Sequence, residues 1–319
     1  MWTFIEPIQL IRYLIVWRVN RSLVRQSAIP GAAFSRVLGT IIAERLPTSQ
    51  AAEWKKTVPP WDDDLLVWSD PAGVAWPIEA VLFVYPQKSQ YGQDELILWE
   101  LELLGECADH GFFLQVILPA IEQASATTDP RWYKPNQVWG HFDIQAIYAA
   151  AGSHWEAVVE QGQLDLRRRI TPTQWGETLT WDVDPEHVYD RLIWATPFDL
   201  GLATGKRRQV VAPMLVDLMD ALLERMCVFI PGKYTTPQDV WNALPEPERA
   251  ALQRVIDQVR DIPLRSHKLK RAYRRWPGFF HGQQTFSLIP HNVLPYLELA
   301  SILHIGRQTH LGFGAFQIY

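Results

Sequence analysis

The sequence predicts an α+β chain made of two βαββαβ units in series. Three observations predict it. Short runs rich in Ile, Val, Tyr and Trp read as strands, and they alternate with stretches whose apolar residues recur at helical spacing. The order strand, helix, strand, strand, helix, strand can be read twice along the chain. Between the two readings lies Ala150 to Pro185, polar and punctuated by Gly and Pro, which reads as a linker with an insertion. The resulting units are 1–185, including that linker, and 186–319, which closes on a glycine-rich loop.

Leu10 to Val19 is the first strand. Pro30-Gly31 introduces a helix through Glu44, with Phe34, Val37, Leu38, Ile41 and Ile42 on one face. Pro59 to Asp64 is a loop. Its adjacent aspartates read as a solvated turn, because neighbouring carboxylates rarely converge on one ion and no histidine is near. Ile78 to Tyr85 and Glu95 to Leu104 are strands joined through Gln87 to Gly92, His110 to Gln123 is helical, and Gly140 to Ala149 is the closing strand. In the second unit His187 to Ala195 is a strand and Pro213 to Val228 a strongly amphipathic helix. Glu248 to Arg260 is an extra helix, and Pro263 to Arg275 carries no clear pattern. Gln284 to Ile289 is a strand, Asn292 to His304 a helix begun by an Asn cap, and Ala315 to Tyr319 the last strand. Two tandem ferredoxin-like (RRM-like) domains are the fold that this order implies.

Composition narrows the function classes. With 48% hydrophobic and 20% charged residues, the 319-residue chain has the balance of a folded soluble protein. Arg12 interrupts the most apolar N-terminal run, and Glu6 and Pro7 spoil a secretory core there, so no membrane span or leader is expected and a reducing cytoplasm is. Cys107 and Cys227 lie too far apart for metal-ligand spacing. Gly201 to Arg207 invites comparison with a phosphate-binding loop, but it is one residue short and ends in Arg where magnesium needs Ser or Thr. No cofactor and no metal are expected.

The net charge of -5 excludes a generally basic coat, so a nucleic-acid site must be a local patch. The densest cationic stretch holds Arg260, Arg265, Lys268, Lys270, Arg271, Arg274 and Arg275, interleaved with His267, Tyr273 and Trp276. Cations mixed with π faces suit RNA; a solvated face is the plainer reading. Lys206-Arg207-Arg208 and Arg167-Arg168-Arg169 are smaller clusters of the same kind. At the C-terminus the order is helix, glycine loop, strand, the reverse of a dinucleotide fingerprint. Gly306 suits a left-handed helix cap. Gly312 and Gly314 remove side chains that would hold another backbone away, so the loop around Arg307 is either a tight turn or a place where a phosphodiester chain comes close.

His304-Ile-Gly-Arg-Gln-Thr-His-Leu-Gly-Phe-Gly-Ala-Phe-Gln-Ile resembles the closing signature of the RAMP proteins, and more closely that of the CRISPR-associated endoribonucleases that process precursor CRISPR RNA. Pro30 to Gly39, Leu98 to Glu106 and Leu192 to Phe198 are similar to that family's first helix, central strand and second opening strand. The resemblance implies tandem ferredoxin-like domains that bind the repeat stem-loop of CRISPR RNA. It implies metal-independent cleavage, in which the ribose 2′-hydroxyl attacks the adjacent phosphate and leaves a 2′,3′-cyclic phosphate. Assembly with other CRISPR effector subunits is implied as well.

Many members place a histidine base near the first helix, whereas this chain has none before His110. His267 is the substitute its surroundings suggest, since positive neighbours favour the neutral ring that accepts a proton. Tyr273 would orient the nucleophile, and Lys270 or Arg271 would stabilise the charge on phosphorus. Arg36 on the first helix, Arg207, Arg208, Arg265, Lys268, Arg271, Arg274 and Arg275, with Gly306, Arg307, Gly312 and Gly314, would contact RNA. The rival reading is a RAMP subunit that grips RNA without cutting it.

Overall fold

The computed structural model describes residues 2–21, 23–58, 75–85, 88–160, 162–165, 167, 169–181, 184–202, 210–232, 234–273 and 278–319. The chain divides into two units, Gln9–Leu179 and, for the other, Met1–Ile8 with Thr180–Tyr319.

In the first unit β1 (Leu10–Val19) is central because alternate residues Tyr13, Ile15 and Trp17 are all fully buried. After the two-residue strand β2 (Val24–Arg25), α1 (Pro30–Arg45) begins with Pro30, whose fixed φ suits a first helical turn. Its expected inward face of Phe34, Val37, Leu38, Ile41 and Ile42 is buried. Then come α2 (Thr48–Thr57), β3 (Ala80–Val84), β4 (Gln90–Tyr91) and β5 (Leu96–Leu104). The stretch read as a plain connection thus contains β4, which pairs with β2; the Pro59–Asp64 loop lies outside the described residues.

The helix expected from His110 is in three parts. Asp109 accepts the Gly111 N–H at 2.7 Å to start α3 (His110–Phe112), a π turn covers Phe113–Ile117, and α4 (Leu118–Ser125) continues. Pro119, which brings no N–H to the helical ladder, accounts for the wide turn before it.

The strand β6 (Phe142–Ala151) is followed by the hairpin β7 (His154–Glu160) and β8 (Gln163–Leu164). The stretch read as a linker with an insertion therefore opens as sheet, and the order is β3-β5-β1-β6-β7-β8, with every neighbouring pair antiparallel. Away from the helices, Arg12 sits between two buried carboxylates, donating to Glu100 at 2.7 Å and lying 3.3 Å from Glu102. Burial alone would lower the guanidinium pKa, but attraction by Glu100 and Glu102 holds it above its ordinary value.

The second unit begins with β9 (Arg191–Phe198), four residues later than expected because His187 and Val188 are exposed and only Leu192, Trp194, Thr196 and Phe198 turn inward. Next are α5 (Leu215–Phe229), α6 (Pro237–Ala243), capped by Thr236, and α7 (Glu246–Arg260). The pattern-free basic stretch forms β10 (Leu264–His267) and β11 (Lys270–Arg271), both paired with β12 (Phe280–Phe286). The chain closes with α8 (Leu294–Leu303) and β13 (Phe316–Ile318).

Asn292 does not cap α8. Its amide donates to Gln258 Oε1 at 2.9 Å, and Val293 holds the cap position. The left-handed residue ending that helix is His304 (φ 56), ahead of Gly306. The sheet order β10-β12-β9-β13 repeats that of the first unit: second, third, first, fourth in the chain order of the main strands. Mixed helix and antiparallel sheet is the architecture of both units.

Candidate nucleic-acid interface

An edge strand carries the positive charge. β10 and β11 run as one line along β12, from Leu264 opposite Phe286 to Arg271 opposite Phe280. The pairing breaks at Lys268 and Leu269 without a change of register, and Lys268 N–H still donates to Gln283 O at 2.8 Å. Gly282 lets the two strands come this close, since a Cβ there would lie 2.3 Å from the Lys268 carbonyl oxygen.

Arg265, Lys268, Lys270 and Arg271 are all exposed, within roughly 20 Å of extended chain. Among the described residues no ion pair engages Arg265, Lys268 or Lys270, so their charge is left for a partner in solution. Charged edges also discourage strand-to-strand aggregation, which is the plainer use of such a line.

His267 ends β10, exposed, and its Nδ1 accepts the Leu269 N–H at 3.4 Å. In the neutral ring this puts the proton on Nε2, so the outward nitrogen donates in this conformation. Tyr273 is half-buried and stacks on Phe313 of the terminal loop, with centroids 6.0 Å apart and planes at 24°. Burial pushes its hydroxyl up to about 12, which keeps it a protonated donor at neutral pH. Lys270 stands directly opposite His281 across the sheet. The alternation of buried Phe280, Gln284 and Phe286 with His281, Gln283 and Thr285 makes His281 an exposed strand position.

The terminal loop is mostly interior. Leu311, Gly312, Phe313 and Gly314 are buried, and the space left by Gly306 and Gly314 is taken by the chain's own main chain at Asp199 and Ile305. Close backbone approach is therefore real at these glycines, but the neighbour is protein. Gly306 is half-buried, and Arg307 is the loop's exposed cation, its side chain 61% accessible.

Arg36 is corrected outright: it is buried in α1, 8% exposed, and does not present its guanidinium at the surface. Arg207, Arg208, Arg274 and Arg275 lie outside the described residues. Asp199, beneath Arg307, drew no attention in the sequence because a lone aspartate before Leu-Gly has no distinguishing pattern.

Residues 191–316 match the model of the CRISPR-associated endoribonuclease Cas6 family. The match lies wholly within the second unit. That span starts at the first residue of β9 and ends inside β13, so it encloses the cationic edge, Tyr273 and the Arg307 loop. The fold agrees over nearly the whole length. A chain of a partial Cas6-RT-Cas1–Cas2 complex aligns with TM-score 0.52 and 11% identity, covering 98% of this chain and 46% of that one. A second Cas6-RT-Cas1–Cas2 complex gives TM-score 0.52 and 11% identity, covering 98% and 29%. This chain thus spans less than half the length of those chains. A Cas6 product complex aligns at TM-score 0.47 and 16% identity, covering 98% of this chain and 100% of that one. No curated protein matches the chain. Among the described residues no cluster of His, Cys, Asp and Glu could hold a metal ion, and no helix is long and apolar enough to cross a membrane.

Proposed function

We propose that this chain binds the repeat stem-loop of CRISPR RNA and cuts the precursor, through two tandem ferredoxin-like domains of which the second holds the RNA. The observation that carries the reading is the Cas6 match falling on the unit whose exposed edge strand bears Arg265, Lys268, Lys270 and Arg271. The repeated strand order supports the tandem fold.

In the proposed reaction the ribose 2′-hydroxyl loses its proton and attacks the adjacent phosphorus. The bond to the 5′-oxygen breaks and that oxygen takes a proton from water, leaving a 2′,3′-cyclic phosphate and a 5′-hydroxyl. His267 takes the proton after giving up its 3.4 Å bond to Leu269, a long bond that costs little to break. Lys270 stabilises the oxyanion, and Tyr273 donates a hydrogen bond that aligns the attack. The step asks nothing of a metal. RNA contacts at Arg207, Arg208, Arg274 and Arg275, which lie outside the described residues, and at Gly306 and Arg307 belong to the same proposed grip. Assembly with other CRISPR proteins, such as those in the Cas6-RT-Cas1–Cas2 complexes whose fold it shares, and a cytoplasmic site of action complete the proposal.

Incubating the purified protein in EDTA with a labelled transcript of the CRISPR repeat from its source genome tests this. The expected result is a fragment ending in cyclic phosphate; a transcript neither retained nor cut overturns the proposal. Retention without cutting supports the binding subunit instead. One observation favours that alternative: the chain has no histidine before His110, whose Nδ1 is bonded to the Tyr13 hydroxyl at 2.8 Å.

A further inference from the structure

We propose that Asp199 is a positioning residue for Arg307, its buried carboxylate holding the guanidinium in the attitude in which it meets an RNA phosphate. The proposal rests on the RNA-processing reading above. Asp199 follows the last residue of β9 and is 3% exposed. Each of its oxygens has a task. Oδ1 accepts the Gly201 N–H at 2.8 Å, the main-chain oxygen accepts the Arg307 N–H at 2.9 Å, and Oδ2 lies 3.6 Å from Arg307 Nη1. Gly201 (φ 73) keeps the space beside the head group open, since a Cβ there would stand 3.3 Å from Arg307 Nη2. One buried residue therefore restrains both the main chain and the guanidinium of a side chain that is otherwise in water.

Stability does not account for the arrangement. An ion pair with so exposed an arginine is worth about 0–1 kcal/mol, and 3.6 Å is too long for a hydrogen bond. The guanidinium N–H groups thus remain available for the forked pair that arginine makes with phosphate. An arginine held in place beforehand avoids ordering its long side chain at the moment of binding.

Charge and position make opposite predictions, which makes the idea testable. Asp199→Asn keeps an oxygen for Gly201 but removes a negative charge beside the proposed phosphate. Acting through charge alone, it would tighten binding of the fluorescein-labelled repeat transcript. Positioning predicts weaker binding, by about twofold to fivefold, with retention on heparin unchanged or increased. It also predicts no further loss when Asp199→Asn is added to Arg307→Ala. In the free protein, the Arg307 Nε–H resonance should exchange with water faster in Asp199→Asn. Tighter or unchanged transcript binding, or the same loss in the Arg307→Ala background, overturns the proposal.

If Asp199→Asn melts early, Arg307→Lys asks the question from the other side. A positioned fork predicts a loss close to that of Arg307→Ala, and full retention by the lysine overturns it. Failure of the unaltered protein to bind the transcript removes the RNA reading and this one together. Binding with zero coupling between the two residues removes only the positioning role.

Discussion

Gly314 and Ile305 meet main chain to main chain: a Cβ on Gly314 would lie 2.0 Å from the Ile305 carbonyl oxygen. Gly314 has φ 90, donates its N–H to Pro197 O at 2.9 Å and accepts from Ile305 N–H at 3.3 Å. Its lack of a side chain is thus demanded by the fold. Gly314→Ala is expected to lower unfolding free energy in urea by at least about 2 kcal/mol, since strained backbone and displaced neighbours add. Gly162→Ala, at φ 74 with no atom within 4 Å, should cost only about 1 kcal/mol.

The buried charges of the first unit make a second prediction. Arg12 is the cation between Glu100 and Glu102, and Tyr85 donates a hydrogen bond to the first of these. Arg12→Met would leave two carboxylates nearly out of solvent. A loss of about 3–5 kcal/mol is expected at pH 7, read from denaturant midpoints. The deficit should shrink as the pH is lowered, because protonation removes the stranded charge.

Salt dependence reports on the edge strand. If Lys268 and Lys270 each neutralise a phosphate, Lys268→Gln and Lys270→Gln should each flatten the plot of log affinity against log salt by about 0.9. Unchanged slopes would mean that these lysines guard the sheet edge and touch no RNA.

For the chemistry, His267→Ala should slow repeat cleavage by at least about 100-fold while leaving transcript binding within about twofold. Cleavage at the original rate would remove His267 as the base. His281→Ala is the companion measurement, because that ring faces Lys270 across the same strand pair.

Glu298 on α8 offers a pH test. Burial raises its carboxyl pKa above the ordinary value. The folded protein then holds that proton more tightly than the unfolded chain does, so the contribution to stability is present below the ordinary carboxyl pKa and is lost as the pH rises through the raised one. Glu298→Gln should accordingly raise the melting temperature at pH 7 and leave it unchanged near pH 4.

What the residues announced in advance depended on burial. β1, α1 and α5 were legible because a buried face leaves an apolar residue at every second or every third and fourth position. β10 and β11 were not, because an exposed edge strand needs no apolar face, and Leu264 and Leu269 are its only inward residues. β7 and β8 were hidden likewise, mostly polar or half-buried at the end of their sheet. α6 did carry a signal, Thr236 three residues before Asp239, the spacing of a capping box. The site was legible in charge alone. That Tyr273 would reach Phe313, or Asp199 would lie under Arg307, depends on long-range packing that no local spacing encodes.

Trp2 and Phe4 stack on one another at 4.8 Å and meet Tyr296 edge-on at 4.8 and 5.1 Å, with Trp181 at 5.9 Å from Trp2. These opening residues belong to the compact unit that resumes only at Thr180. During synthesis Phe4 leaves the ribosome long before its seat beside Tyr296 is made. The whole of Gln9–Leu179 must emerge while that aromatic peptide waits. Completion of the second unit therefore waits for α8, and a ribosome stalled before it would hold a chain in which Trp2 and Phe4 have nowhere to dock.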